Sequence, residues 1–243
     1  MLRLLLMLML LVATATVASA QGPLVVIAAT TADGGYAAGG LIEDTGAIGL
    51  AAGETLTLMA EDGTVIRLQG PREGAAASPA SDDALPPGLS RIAGFVAGAS
   101  GETNVLGASR RADGREGIAP QPDIWMINVD SSGERCVQAA PLVLWRKDAL
   151  RPASVTVRGE REKLPQKTWP TGKATMELPA RLAHDGDRLV LSIDGDPRRY
   201  TLHVRPQTIA ADDWGGILRW MIDKDCKRQA GLVITGLHSG RLQ

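Results

Sequence analysis

Apolar positions along this chain recur at two spacings, and the changes between them mark its regions. From residue 24 the pattern suits short strands. Leu24-Val25-Val26-Ile27 is a compact apolar run, and Glu54-Thr55-Leu56-Thr57-Leu58-Met59 alternates so that Leu56 and Leu58 share a face. Glu61-Asp62-Gly63-Thr64 then supplies a turn, because Asp-Gly accepts the positive φ angles of tight hairpins. Val65-Ile66-Arg67-Leu68 returns, and Gly70-Pro71 closes the pair. Residues 75–87 change character to Ala, Ser, Asp and Pro, the composition of a linker. Leu89, Ile92, Ala93 and Val96 follow at i, i+3, i+4 and i+7, one stripe of a short helix bracketed by Gly88 and Gly98. Residues 99–122 revert to Gly, Ser, Ala and charge and are expected to form a loop.

The strand spacing resumes near Ile124 and continues to Arg205. Ile124–Val129, Leu142–Arg146, Ser154–Val157 and Thr175–Leu178 read as strands, and Ser131-Ser132-Gly133-Glu134 reads as a turn ahead of Cys136. Asp185-Gly186 leads into Leu189–Ile193, and Asp194-Gly195 leads into Tyr200–Val204. Short strands with turns at this spacing, and no long crossover helices, predict a sandwich. Beyond Pro206 the period becomes helical. Asp212 and Asp213 suit a helix N-terminus, where unpaired N–H groups favour negative charge. Trp214, Ile217, Leu218 and Met221 form one apolar face, and Ala230, Val233, Ile234 and Leu237 form another, on a second helix starting near Lys224.

The predicted protein is therefore mainly β. It divides into a signal peptide (1–20), an N-terminal β region (21–74), a linker with a short helix (75–122), a β-sandwich-like second domain (123–206) and a C-terminal helical tail (207–243). The signal reading rests on Arg3, the apolar run Leu4–Val12 and the small residues Ala18-Ser19-Ala20, with cleavage expected before Gln21. Thr14, Thr16 and Ser19 interrupt the run before it reaches the length of a membrane span, and a lipid anchor needs a cysteine where Gln21 stands. The expectation is a periplasmic or secreted chain without stable membrane insertion.

Charge excludes one class of partner. Lys plus Arg number 26 against 27 Asp plus Glu, for a net charge of −1, so the clustered basic excess of a nucleic-acid binder is missing. Basic residues are mostly arginine and the asparagines are only Asn104 and Asn128, a composition typical of a GC-rich bacterial genome. Two cysteines, Cys136 and Cys226, are an even count for an oxidising compartment and predict an intramolecular disulfide.

Catalytic spacing is hard to find. His-Glu-x-x-His, Gly-x-Ser-x-Gly, Ser-x-x-Lys and Cys-x-x-Cys cannot be written from this sequence. Thr171-Gly172-Lys173 fails as a phosphate loop because Lys167 stands where a glycine is required. His184, His203 and His238 lie at no helix or strand spacing from one another, so no metal, cofactor or catalytic residue is assigned. Asp185/Asp187 and Asp194/Asp196 are explained as hairpin turns rather than calcium loops. Trp145 fits a sandwich interior. Trp169-Pro170, flanked by Lys163, Lys167 and Lys173, admits two readings: a core anchor, which is favoured, or an exposed aromatic that forms a binding surface with Lys167 and Lys173.

The segment from Gly53-Glu54-Thr55-Leu56 through Asp62-Gly63-Thr64 to Leu68 resembles a hairpin of FecR-type periplasmic domains. The chain also resembles a set of uncharacterised exported bacterial proteins through Gly70-Pro71, Cys136, Leu144-Trp145-Arg146, Trp169-Pro170, Asp185-Gly186 and Cys226-Lys227-Arg228-Gln229-Ala230. FecR relays a signal across the inner membrane, but no apolar span follows the signal segment here. The resemblance implies a periplasmic interaction module with no catalytic residues to carry over. The function expected is a non-enzymatic accessory or signalling module that binds a periplasmic or envelope protein. The alternatives are a carbohydrate or cell-envelope binding domain centred on Trp169, and an enzyme assembled from scattered carboxylates.

Overall fold

The first apolar run is a strand, β1 (Leu24–Thr30), and its unbroken hydrophobicity has a packing cause: both its faces are covered. Val25 and Ile27 face a layer of helices, whereas Leu24 and Val26 face the other side, where Ile48 and Leu50 cover them. With β2 (Leu41–Ile42), β3 (Thr55–Met59) and β4 (Val65–Gln69), β1 forms an antiparallel sheet of order β2-β1-β3-β4. The hairpin read from Asp62-Gly63 is the β3–β4 connection, with Gly63 at φ +93°. This computed structural model describes residues 23–31, 35–42, 48–73, 87–101, 121 and 123–242. The expected signal segment, the expected linker up to residue 86 and most of the expected loop from 102 to 120 lie outside the described residues.

Three helices close the inner face of that sheet: α1 (Pro87–Gly101), α2 (Trp214–Asp223) and α3 (Lys227–His238). The two stripes legible after Pro206 are the buried ones. Ile217, Leu218 and Met221 on α2 and Val233, Ile234 and Leu237 on α3 share a core with Val25, Ile27 and Met59. Each such aliphatic side chain contributes roughly 1.5–3 kcal/mol on burial. Asp213 caps α2, its carboxylate accepting from Gly216 N–H at 2.8 Å. Lys224 ends the helix, Asp225 turns the chain at φ +57°, and Cys226 opens α3. The helical tail thus packs on the N-terminal sheet, and all of the intervening strands lie between α1 and α2 in sequence.

Those strands are β5 (Ile127–Asn128), β6 (Gly133–Val137), β7 (Leu142–Trp145), β8 (Ala153–Arg158), β9 (Lys163–Trp169), β10 (Thr175–Leu178), β11 (Arg188–Ile193) and β12 (Asp196–Val204). They form a three-stranded sheet, β10-β7-β5, and a five-stranded sheet, β6-β12-β11-β8-β9. Leu144 and Leu178 from the first meet Val155, Leu191 and Leu202 from the second in one core. The chain is therefore mainly β, with three sheets and three helices among the described residues.

Three local differences from the sequence reading have identifiable causes. Residues 124–126 are a turn rather than strand, because Asp123 Oδ1 accepts Trp125 N–H at 2.9 Å. Gly133 and Glu134, expected in a turn, already belong to β6. β9 occupies a stretch expected to be a loop: its inward residues Leu164 and Trp169 are five apart, which plain alternation would put on opposite faces. A register shift opposite Val155/Val157 inserts an extra residue and returns both to the core.

Candidate functional site

The disulfide predicted from the cysteine count is present, with Cys136 and Cys226 Cα atoms 5.9 Å apart. Cys136 sits on β6, the edge of the five-stranded sheet, and Cys226 opens α3, so the bond ties that sheet to the helical layer. Gln229, one helical turn beyond Cys226 and only 3% exposed, completes the junction. Its Oε1 accepts Cys136 N–H at 2.8 Å, and its Nε2 donates to Cys136 C=O at 2.5 Å and to Ile124 C=O at 2.7 Å. In the sequence Gln229 follows Lys227 and Arg228 and looks like one more polar residue of the first helical turn, so nothing local marked it as buried.

Of the two readings of Trp169, the favoured core anchor holds and the binding surface with Lys167 and Lys173 is corrected. The Trp169 side chain is 0% exposed, so it forms no surface with Lys167 and Lys173, both of which are exposed. The cation beside it is the buried Arg146, whose guanidinium lies 4.8 Å from the ring centroid. Arg146 donates from Nε to Lys173 C=O at 3.1 Å and from Nη2 to Pro170 C=O at 2.7 Å, fastening the turn after β9 over the indole. Burial lowers the Arg146 pKa, with nearby Asp148 and Asp194 opposing. Arg135 repeats the arrangement over Tyr200 at 5.0 Å while donating to the carbonyls of Glu134, Asn128 and Ser131. Burial pushes the Tyr200 hydroxyl up to about 12. Both arginines meet carbonyls and rings, which is structural work.

A cleft of about 530 Å³ opens where the β3–β4 hairpin meets α2 and the end of α3. Val65, Trp214, Leu237 and Leu242 supply its apolar lining, and Asp62, Asp212, Asp213 and Arg67 carry charge on its rim. Its geometry depends on a close backbone approach. A Cβ on Gly215 would lie 1.5 Å from Gly63 O, so only glycine lets the first turn of α2 rest on the hairpin. Arg219 reinforces this by donating to Glu61 C=O. The Thr64 backbone N–H, at 2.8 Å, holds the Asp62 carboxyl below the usual range, with Arg219 adding attraction. A second cleft, of about 370 Å³, shares Trp214 and Leu242 with the first and is completed by Ile124, Trp125 and Leu232.

The titratable groups elsewhere do not converge. His203 pairs with Glu134 at 2.7 Å across β12 and β6, and His238 Nε2 stands 2.9 Å from Thr30 Oγ1. His184 lines a separate polar hollow with Asp187 and Arg188. Among the described residues, no three His, Cys, Asp or Glu side chains group as metal ligands, and no helix is long and apolar enough to cross a membrane. The hollow lined by Arg146, Asp148, Arg151, Asp194, Asp196 and Arg198 mixes both signs of charge. Compared with protein-family models, with curated proteins and with solved structures, the chain matches none.

Proposed function

We propose that this chain acts outside the cytoplasm as a non-enzymatic module that binds another protein. The observation that carries the reading is the cleft between the β3–β4 hairpin and the α2–α3 pair, apolar at its floor around Trp214 and Leu237 and charged at its rim. An apolar patch surrounded by polar groups is the usual form of a protein-recognition surface. The extracytoplasmic address is supported by the signal-like pattern of Arg3, Leu4–Val12 and Ala18-Ser19-Ala20, together with the Cys136–Cys226 bond. The finer fold reading belongs to the same proposal: the two central sheets form a sandwich, and the N-terminal sheet is FecR-like. The envelope-binding alternative loses its anchor with Trp169 in the core.

The test is capture of tagged protein from its native host after mild crosslinking in the cell, with mass spectrometry of the companions and of the mature N-terminus. One dominant protein partner and a start at Gln21 are expected. A capture no richer than a tag-only control overturns the binding reading, and a chain retained in the cytoplasm with Met1 intact overturns the address.

A further inference from the structure

The edges of the N-terminal sheet and of the five-stranded sheet are treated differently. The β6 edge is met by the Gln229 amide, and the β9 edge carries Lys163, Pro165 and Lys167, residues that discourage strand addition. β2 is two residues long. Along its five residues, Val65–Gln69, the β4 edge carries a single charged side chain, Arg67, and no proline. Its hydrogen-bonding phase follows from the hairpin. Ala60 N–H bonds Thr64 O at one end of the β3–β4 ladder and Gly70 N–H bonds Glu54 O at the other. With Leu58 opposite Ile66 and Leu56 opposite Leu68, those two β4 residues turn their backbone groups to β3. Val65, Arg67 and Gln69 therefore turn theirs outward, and no described backbone group meets them.

The side chains of these outward residues share the helix-side face, where Val65 packs on the core and Val65 and Arg67 line the 530 Å³ cleft. A strand edge and a cleft lined from α2 and α3 thus run side by side. An extended segment added to β4 would bond to three residues of backbone and drop alternate side chains into the cleft. The side chain that suits it has an apolar stem for Val65, Trp214 and Leu237 and a cation for Asp62, Asp212 and Asp213, three carboxylates against the single cation Arg67 in the lining. A second copy of this chain suits it poorly, because the register that pairs all three outward residues sets Arg67 opposite Arg67.

We infer that β4 is a strand-addition site for an extended segment of another polypeptide, which places a Lys or Arg side chain in the cleft between β4 and α2–α3. The inference rests on the protein-binding reading and adds its mode. The probe is a phage-displayed library of linear peptides panned on the full chain, followed by synthetic capped versions of those selected. Peptides with a Lys or Arg at a fixed position are expected. Methylating their backbone nitrogens one at a time should weaken binding about tenfold at every second position and little in between, as loss of single hydrogen bonds in one ladder requires. Gln69→Pro removes an outward N–H without touching the β3–β4 ladder and should abolish binding, whereas Gln69→Ala keeps it. Amide hydrogen exchange of the wild type guards against misfolding of the proline variant: the Arg67 and Gln69 amides should gain protection when peptide binds. Peptides that bind without the two-residue period and without protecting β4 overturn the strand-addition mode and leave protein binding standing. A library that yields no binder, beside a crosslinked partner captured from the host, overturns it equally; neither binder nor partner removes both readings.

Discussion

Gln229 and Cys136, 93 residues apart, are joined as if the glutamine were a neighbouring strand: its amide accepts from the Cys136 N–H and donates to the Cys136 carbonyl. The edge of one sheet is thereby closed by a single side chain from a helix that belongs to another core. Because Cys226 lies one turn earlier on α3, the covalent and the hydrogen-bonded joints reinforce each other at one point.

Replacing Gln229 with leucine keeps the volume but leaves the Cys136 N–H, the Cys136 carbonyl and the Ile124 carbonyl unpaired. The expected loss in urea unfolding is about 3 kcal/mol, given roughly 1–3 kcal/mol per buried unsatisfied group with partial relaxation. Gln229→Glu should be at least as damaging at neutral pH, since a carboxylate faces two carbonyls, and should recover in part on acidification. A loss below about 1 kcal/mol in Gln229→Leu would mean that water replaces the amide.

Removing the disulfide in a Cys136→Ser, Cys226→Ser double variant should cost roughly 4 to 5 kcal/mol, the loop-closure value for a separation of 90 residues. Urea midpoints with and without reductant measure it. Intact mass of unreduced protein should show two hydrogens missing; two free thiols would contradict the bond.

Acid should weaken the docking of α3. Burial, and secondarily Arg67, lowers the His238 pKa below its ordinary 6.5. A histidine depressed in this way binds its proton more readily in the unfolded chain, so its contribution is intact above about pH 6.5 and falls as pH drops through the lower folded value. The urea midpoint of the wild type should therefore decline more steeply from about pH 7.5 to about pH 5 than that of His238→Gln. Parallel declines would remove His238 from the explanation.

Gly215→Ala tests the contact between hairpin and helix. The added methyl collides with Gly63 O, and the hairpin must withdraw from α2, at an expected cost of about 1–3 kcal/mol. Chemical shifts in residues 61–64 should move. Gly94→Ala, in α1, has nothing within 4 Å of its new methyl and serves as the neutral or stabilising control.

Arg146→Lys should disturb the Trp169 turn although charge is retained. One ammonium cannot reproduce the fork that reaches Pro170 and Lys173 carbonyls while stacking on the ring. A loss of about 1–3 kcal/mol is expected, with a change in near-ultraviolet circular dichroism from the buried indole. A spectrum and midpoint identical to wild type would show that the stacking is incidental.

Much of the local structure was legible because it is enforced locally. Asp62-Gly63 makes its hairpin, Asp194-Gly195 turns β11 into β12, and Asp213 caps α2, each through backbone preferences of a few adjacent residues. β9 was hidden because its bulge breaks the period that alternation seeks, with Pro165 between Leu164 and Trp169 adding a loop signature. That hidden strand is also why a surface reading of Trp169 stayed open beside the favoured core one. The stripes of α2 and α3 announced that they were buried but not against what: amphipathicity names a face and leaves its partner open. Gln229 shows the same limit at a single position, since its meaning lies in the backbone of Cys136 and nothing adjacent in sequence refers to it.

The order of elements along the chain sets a constraint on how the molecule comes together. A polypeptide emerging with its N-terminus first presents Val25 and Ile27 near the beginning, but the α2 and α3 side chains that cover them arrive only after all eight central strands. Until then the inner side of the N-terminal sheet has only α1 against it while a separate core matures in the interval, a vectorial delay that leaves part of that side open to aggregation. Completion of the first sheet is consequently a late event, and any chain interrupted before Leu237 would carry a finished middle and an unfinished beginning.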